Sequence, residues 1–185
     1  MLKKIWRFIW HDDSLLSWIV SILLAFILVK FIIYPGLGLI FNTNLPVVAV
    51  VSRSMEHKGN FNEFWDVQGK WYEDNEITKE EFSNYIMRNG FNKGDIIFLY
   101  GSAKINKGEI IVFKGNSKNP IIHRVVKINN DSYQTKGDNN PDSYSQLSET
   151  NIKPENVIGK AFLRLPYLGW VKIWFTDLIS LIITI

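Results

Sequence analysis

Pro120 to Asp142 reads PIIHRVVKINNDSYQTKGDNNPD. Its first nine residues are apolar or β-branched except His123, Arg124 and Lys127, and Ser132 to Lys136 (SYQTK) is a second run that suits a strand. Between them lies Asn129-Asn130-Asp131, a turn composition, so the two runs spell an antiparallel hairpin. A two-residue loop at Asn130-Asp131 would set His123 opposite Asp138, and a three-residue loop would make Asp138 its diagonal neighbour. In both registers acid and imidazole are expected together, since facing residues hold their Cβ atoms roughly 4.5–5.5 Å apart on one sheet face.

Outward from this hairpin, similar short runs recur at Pro46–Val51 (PVVAVV), Asp95–Tyr100 (DIIFLY), Glu109–Phe113 (EIIVF) and Val157–Leu165, bounded by Gly, Asn, Pro and Lys-Gly turns. They predict a mainly β domain over residues 45–165, an antiparallel sheet or partly open barrel, with no alternation of strand and helix. One helical pattern interrupts them, at Thr78 to Gly90. Thr78 and Glu81 have capping-box spacing, Phe82, Tyr85 and Ile86 share a face, and Gly90 can close the helix. Just before it, Phe61, Phe64, Trp65, Trp71 and Tyr72 are expected to pack as a satellite core under that helix, with a lipid-facing aromatic patch as the other reading. Residues 58–92 therefore read as an inserted aromatic and helical segment.

The whole chain has 185 residues, 46% of them hydrophobic and 14% aromatic, which excludes a disordered or low-complexity protein. Its formal charge of +3 is too nearly balanced to demand a nucleic-acid partner. With no cysteine, disulfides, thiolate metal sites and a cysteine nucleophile are impossible.

Leu15 to Ile33 (LLSWIVSILLAFILVKFII) carries Lys30 as its only charge and is long enough, at roughly 28 Å, to cross a bilayer. Residues 15–34 are read as an uncleaved anchor, because the apolar run exceeds a usual signal-peptide core and no small-x-small cleavage pattern closes it. Lys3, Lys4 and Arg7 precede it, and no Lys or Arg lies between Tyr34 and Ser52. This asymmetry places residues 1–14 in the cytoplasm and the bulk of the chain outside the cell membrane. The far end, 166–185, is apolar but holds Lys172 and Asp177, which leaves a second span, an interfacial segment and a greasy tail all open.

Two positions carry chemistry. Val47 to His57 (VVAVVSRSMEH) is a strand that ends in Ser52, Arg53, Ser54 and Met55, and a serine at a strand end is exposed where a loop shapes a site. His123 lies in an otherwise apolar strand. A serine hydroxyl becomes a nucleophile when a neighbouring base takes its proton, and that base must be fixed in one tautomer. Ser54, His123 and either Asp138 or Asp142 form such a set. Arg124 cannot serve as the base, and Lys127 or Lys136 could do so only if desolvated.

These residues, with VSRSM (Val51 to Met55), KGDIIFLYG (Lys93 to Gly101), GEIIVF (Gly108 to Phe113), IIHRVV (Ile121 to Val126), TKGDNNPD (Thr135 to Asp142) and IGKAFLRLPYLGWV (Ile158 to Val171), stand in an order that resembles the type I signal peptidases. The likeness is to the archaeal and endoplasmic-reticulum branch, which uses histidine where the bacterial branch uses lysine. It implies a membrane-anchored serine endopeptidase that removes signal peptides from exported preproteins. Ser54 would be the nucleophile and His123 the general base. Asp138 would hold the histidine or shape the site, with Asp142 as the family's second aspartate. The Ser54 amide and Ser52 hydroxyl would serve the oxyanion, with Met55 beside the substrate. Implied partners are signal-peptide-bearing preproteins, membrane lipid and the protein-export channel; neither cofactor, metal nor nucleic acid is called for. Arg53 stands where the family commonly has a small residue and His57 where proline commonly follows Ser-Met-x. His57 is thus a second-choice base or a substrate contact, with a solvated loop histidine as the preferred reading, and the two departures frame an alternative: a catalytically weakened homologue acting as a scaffold subunit of a secretion complex. A cytoplasmic self-cleaving Ser-Lys regulator conflicts with the anchor and with His123.

Overall fold

The structure, a computed structural model, describes residues 2–102 and 104–174. These fall into two compact units that divide between Ile40 and Phe41. In the first, α1 (Leu2–His11) ends before Asp12 and Asp13, and Ser14 caps α2 (Leu15–Leu28) by accepting from the Ser17 amide. Ser17 and Ser21 do not mark a polar stripe; their hydroxyls donate to the Phe8 and Ile9 carbonyls of α1. The helix runs beyond the expected 15–34. A π-turn at Val29–Ile33 leads into α3 (Tyr34–Ile40), so a continuous helix of 26 residues, Leu15–Ile40, is apolar enough to cross a membrane. The π-turn is the physical reason: Pro35 lacks an amide hydrogen and crowds the turn before it, and the wider turn relieves both demands.

The second unit is built on one open antiparallel sheet of six strands: β1 (Val47–Ala49), β2 (Ile96–Tyr100), β3 (Ile110–Phe113), β4 (Ile121–Asn129), β5 (Ser132–Lys136) and β6 (Val157–Leu165). Their order is β1-β2-β6-β3-β4-β5. The mainly β expectation holds. Central β3 is buried on both faces, and its alternating side chains feed two cores. Ile110 and Val112 join Val50, Met55, Phe91, Ile97 and Leu99, while Ile111 and Phe113 join Ile105, Val125 and Ile152.

The insertion holds two helices where one was expected. α4 (Phe61–Asp74) was not anticipated, although Asn60 caps it and also donates to Glu63, three residues on. α5 spans only Lys79–Ser83, because the chain turns at Asn84 and reaches Met87 and Gly90 in left-handed conformations. The aromatic side chains do form the satellite core: Phe64, Trp65, Tyr72, Ile77 and Phe82 bury against Val126 of β4. The 166–185 expectation is described only as far as a helical turn reaching Trp174; residues 175–185 lie outside the described residues.

Candidate active site

β4 and β5 meet through the two-residue loop Asn130-Asp131, with Asn129 opposite Ser132. At Val126 a bulge inserts one unpaired residue, so Val125 faces Thr135 and Arg124 faces Lys136. One residue of slip moves every later side chain to the other face. His123 consequently lies beside Gly137, where a Cβ would sit 2.8 Å from its Nε2. The loop is thus the two-residue one, but beyond Val126 the pairing is that expected of a three-residue loop, and in it Asp138 falls on the opposite face with Arg124, so acid and imidazole do not meet as expected.

The turn after β1 carries Ser54 to the imidazole: Ser54 Oγ–H donates to His123 Nε2 over 2.8 Å, and the Ser52 hydroxyl lies 3.0 Å from Ser54 Oγ. Behind the ring, His123 Nδ1–H donates to Glu149 Oε1. Glu149 is fully buried and held from its other sides by the Tyr144 amide at 2.8 Å and the Thr135 hydroxyl at 3.4 Å. A carboxylate only accepts, so it fixes the tautomer that leaves Nε2 free to take the serine proton. His123 is 4% exposed, and the serine reaches it from the solvent side. Met55, expected beside the substrate, instead turns into the core and accepts from the Asp138 amide at 3.4 Å.

Asp138 anchors a second polar cluster. Arg124 Nε and Nη2 donate to its two oxygens at 2.9 and 2.8 Å, the Tyr72 hydroxyl donates at 2.9 Å, and His57 Nε2–H donates at 3.0 Å. Burial would push this carboxyl up, but the Arg124 charge and the hydrogen bonds from His57 and Arg124 hold it well below the usual carboxylate range. Burial and the Asp138 charge push the Tyr72 phenol well above its ordinary value, so it remains a donor. Asp142 is near the surface and accepts from Trp71 Nε1 at 3.0 Å. Neither aspartate hydrogen-bonds the catalytic-type imidazole. His57, expected in a solvated loop or as a second-choice base, is instead buried: it stacks on Phe64 with ring centroids 3.5 Å apart and its Nε2 is engaged by Asp138.

No family model matches the chain. Among curated proteins, it is 31% identical over 162 residues to the signal peptidase complex catalytic subunit SEC11 of Komagataella phaffii, covering 80% of this chain and 76% of the relative. The SEC11 of Lachancea thermotolerans is 27% identical over 159 residues, 80% of this chain and 76% of that protein. Human SEC11C is 38% identical over a shorter stretch of 102 residues, 49% of this chain and 53% of that protein. The chain belongs to the type I signal peptidases of the endoplasmic-reticulum type.

Within this signal peptidase, sequence reasoning placed serine and imidazole side by side and missed the acid. Glu149 sits in SQLSETN, after a 3-10 turn at Ser145–Leu147 and a left-handed Ser148, seven residues beyond the last candidate, Asp142. Nothing in that stretch marks a glutamate as a ligand of a ring in β4; the β5-side pairing of Thr135 N–H with the Glu149 carbonyl at 2.9 Å brings it there. Of the two departures from the family pattern, Arg53 points outward with its side chain 77% exposed and lies 3.6 Å from Glu56, clear of the serine–histidine contact. His57 fills a buried place against the insertion.

Proposed function

We propose that this signal peptidase removes signal peptides from exported preproteins as a serine endopeptidase, with Ser54 as nucleophile, His123 as general base and Glu149 as the group that orients His123. The 2.8 Å contact from Ser54 Oγ to His123 Nε2, backed by buried Glu149, carries this reading. His123 takes the hydroxyl proton as Ser54 Oγ attacks the scissile carbonyl, and the resulting imidazolium is stabilised by Glu149. The same proton passes to the leaving amine, which frees the mature chain. Water then gives its proton to His123 and attacks the acyl ester, the ester bond to Ser54 breaks as His123 returns that proton to Ser54 Oγ, and the signal peptide is released. The Ser54 amide and the Ser52 hydroxyl are assigned to the developing oxyanion, each such donor typically contributing about 2.7–4 kcal/mol. Asp138 and Asp142 are assigned to shaping the site.

The proposed setting is the outer face of the cell membrane beside the protein-export channel, with the amino terminus cytoplasmic and the helix Leu15–Ile40 as anchor. In support, Val51, three residues before the nucleophile, is 57% exposed, and Tyr167, Leu168, Val171 and Trp174 are each more than half exposed, an apolar and aromatic set suited to a lipid interface. A scaffold subunit has no chemical use for an aligned serine, imidazole and carboxylate, so the alternative loses its ground.

Purified full-length protein in detergent is expected to cleave a model preprotein. Ser54→Ala and His123→Ala should each lower kcat by on the order of 10⁴-fold or more, and Glu149→Gln by about 10²- to 10⁴-fold. An inactive wild type, or activity that survives His123→Ala and disappears in His57→Ala, would overturn the assignment.

A further inference from the structure

The insertion touches the loop that supports the catalytic residues, and the contacts come from one edge of one helix. Gln68, Trp71 and Tyr72 are spaced i, i+3, i+4 on α4 and so share a face. All three engage residues 136–142: Gln68 Oε1 accepts from Lys136 Nζ at 3.3 Å, Trp71 Nε1–H donates to Asp142 at 3.0 Å, and the Tyr72 hydroxyl donates to Asp138 at 2.9 Å. The Lys136 ammonium also lies over the Trp71 and Tyr72 rings, 5.0 and 4.7 Å from their centroids, and donates to the Gly137 and Asp138 carbonyls at 3.2 Å each.

That same loop holds the reacting groups from behind. The Asn139 amide donates to the Ser54 carbonyl at 2.8 Å and its side chain to the Arg53 carbonyl at 3.2 Å. The Tyr144 amide donates to Glu149 at 2.8 Å, and Gly137 borders the His123 ring. Nucleophile, base and orienting acid therefore all lean on a stretch whose far side is gripped by α4.

We propose that α4 is a clamp that positions this loop, and that Gln68, Trp71 and Tyr72 are positioning residues for catalysis although none of them touches Ser54, His123 or Glu149. The proposal rests on the peptidase reading given above. A loop with only turn chemistry of its own samples several conformations, and small displacements of a reacting atom cost rate steeply while leaving distant substrate contacts intact. The clamp thus acts on kcat and leaves KM nearly unchanged.

Tyr72→Phe removes one donor and keeps the ring; Trp71→Phe removes one donor and leaves a smaller aromatic ring in place of the indole. In full-length protein in detergent, each is expected to lower kcat for a model preprotein by roughly 10- to 100-fold with KM within about twofold of wild type. Labelling of Ser54 by a fluorophosphonate should slow in proportion while reaching the wild-type end point, which a loss of folded protein would not do. Val67→Ala, on the outward side of α4 and 77% exposed, should leave both rates unchanged. Amide exchange of 137–144, a readout independent of activity, should accelerate in the two aromatic variants. If Tyr72→Phe fails to fold, Trp71→Phe, at a half-buried position, decides the matter alone. Unchanged kcat together with unchanged loop exchange would overturn the clamp, as would a reduced labelling end point at an unaltered rate. Faster loop exchange in a wild-type background that neither cleaves nor labels would keep the clamp and sink the peptidase reading.

Discussion

Lys136 is buried on the sheet face opposite His123, between the rings of Trp71 and Tyr72. Burial pulls its ammonium down to about 8, against the opposing pull of the Asp138, Asp142 and Glu149 charges. Its folded value thus lies below the ordinary lysine value, and the unfolded chain holds this proton more tightly. Burying the charged form costs the fold its full amount below about pH 8, and the cost is relieved as pH rises from there through the unfolded value near 10.4. Lys136→Met should therefore remove a rise in thermal stability between about pH 8 and 10 that the wild type shows, measured by melting in detergent at several pH values. Asp138 follows the opposite sign. Its depressed carboxyl contributes stability above the unfolded value near 3.9, and this is lost as pH falls below that.

At the scale of elements, Arg124 is the staple. From β4 it donates to Asp138, to the Gly108 carbonyl before β3 at 2.9 Å, and to the Ile86 and Met87 carbonyls at the end of the insertion at 2.9 and 3.0 Å. Its guanidinium also lies 4.8 Å from the Phe82 ring centroid of α5. One fully buried side chain thus joins two strands, a turn and the loop under the active site. Arg124→Met should destabilise the protein by about 3–5 kcal/mol, because it leaves the Asp138 charge uncompensated in the interior, and a lowered urea midpoint would report it. A loss below about 1 kcal/mol would mean that Tyr72 and His57 suffice for that carboxylate.

The helix Leu15–Ile40 is long enough to span, and the basic residues ahead of it set the expected orientation. In this cysteine-free chain, Ser117→Cys, in an exposed bend of the second unit, should react with an impermeant thiol reagent added to intact cells. Lys3→Cys, in α1, should react only after the membrane is opened. The reverse pattern would overturn the orientation.

The amino-acid order by itself carried the long apolar helix and the six strands to within a residue or two, because β-branched runs, turn residues and hydrophobic length are local signals that each segment carries alone; the pairing of Ser54 with His123 came from the resemblance, and the contact itself joins residues 69 apart that only the fold brings together. It also held the marks of α4, with Asn60 and Glu63 in capping positions and apolar residues at 61, 64, 65 and 72, but Gly69 and the intervening charges diluted the pattern. Only the tertiary structure decided which carboxylate stands behind the imidazole. A one-residue bulge at Val126 turns Asp138 to the other face, toward Arg124, and the returning loop supplies Glu149 in its place. A bulge depends on how β4 packs against both β5 and the insertion, and a contact from Glu149 to His123 depends on where a distant turn lands; neither is written in the residues adjacent to it.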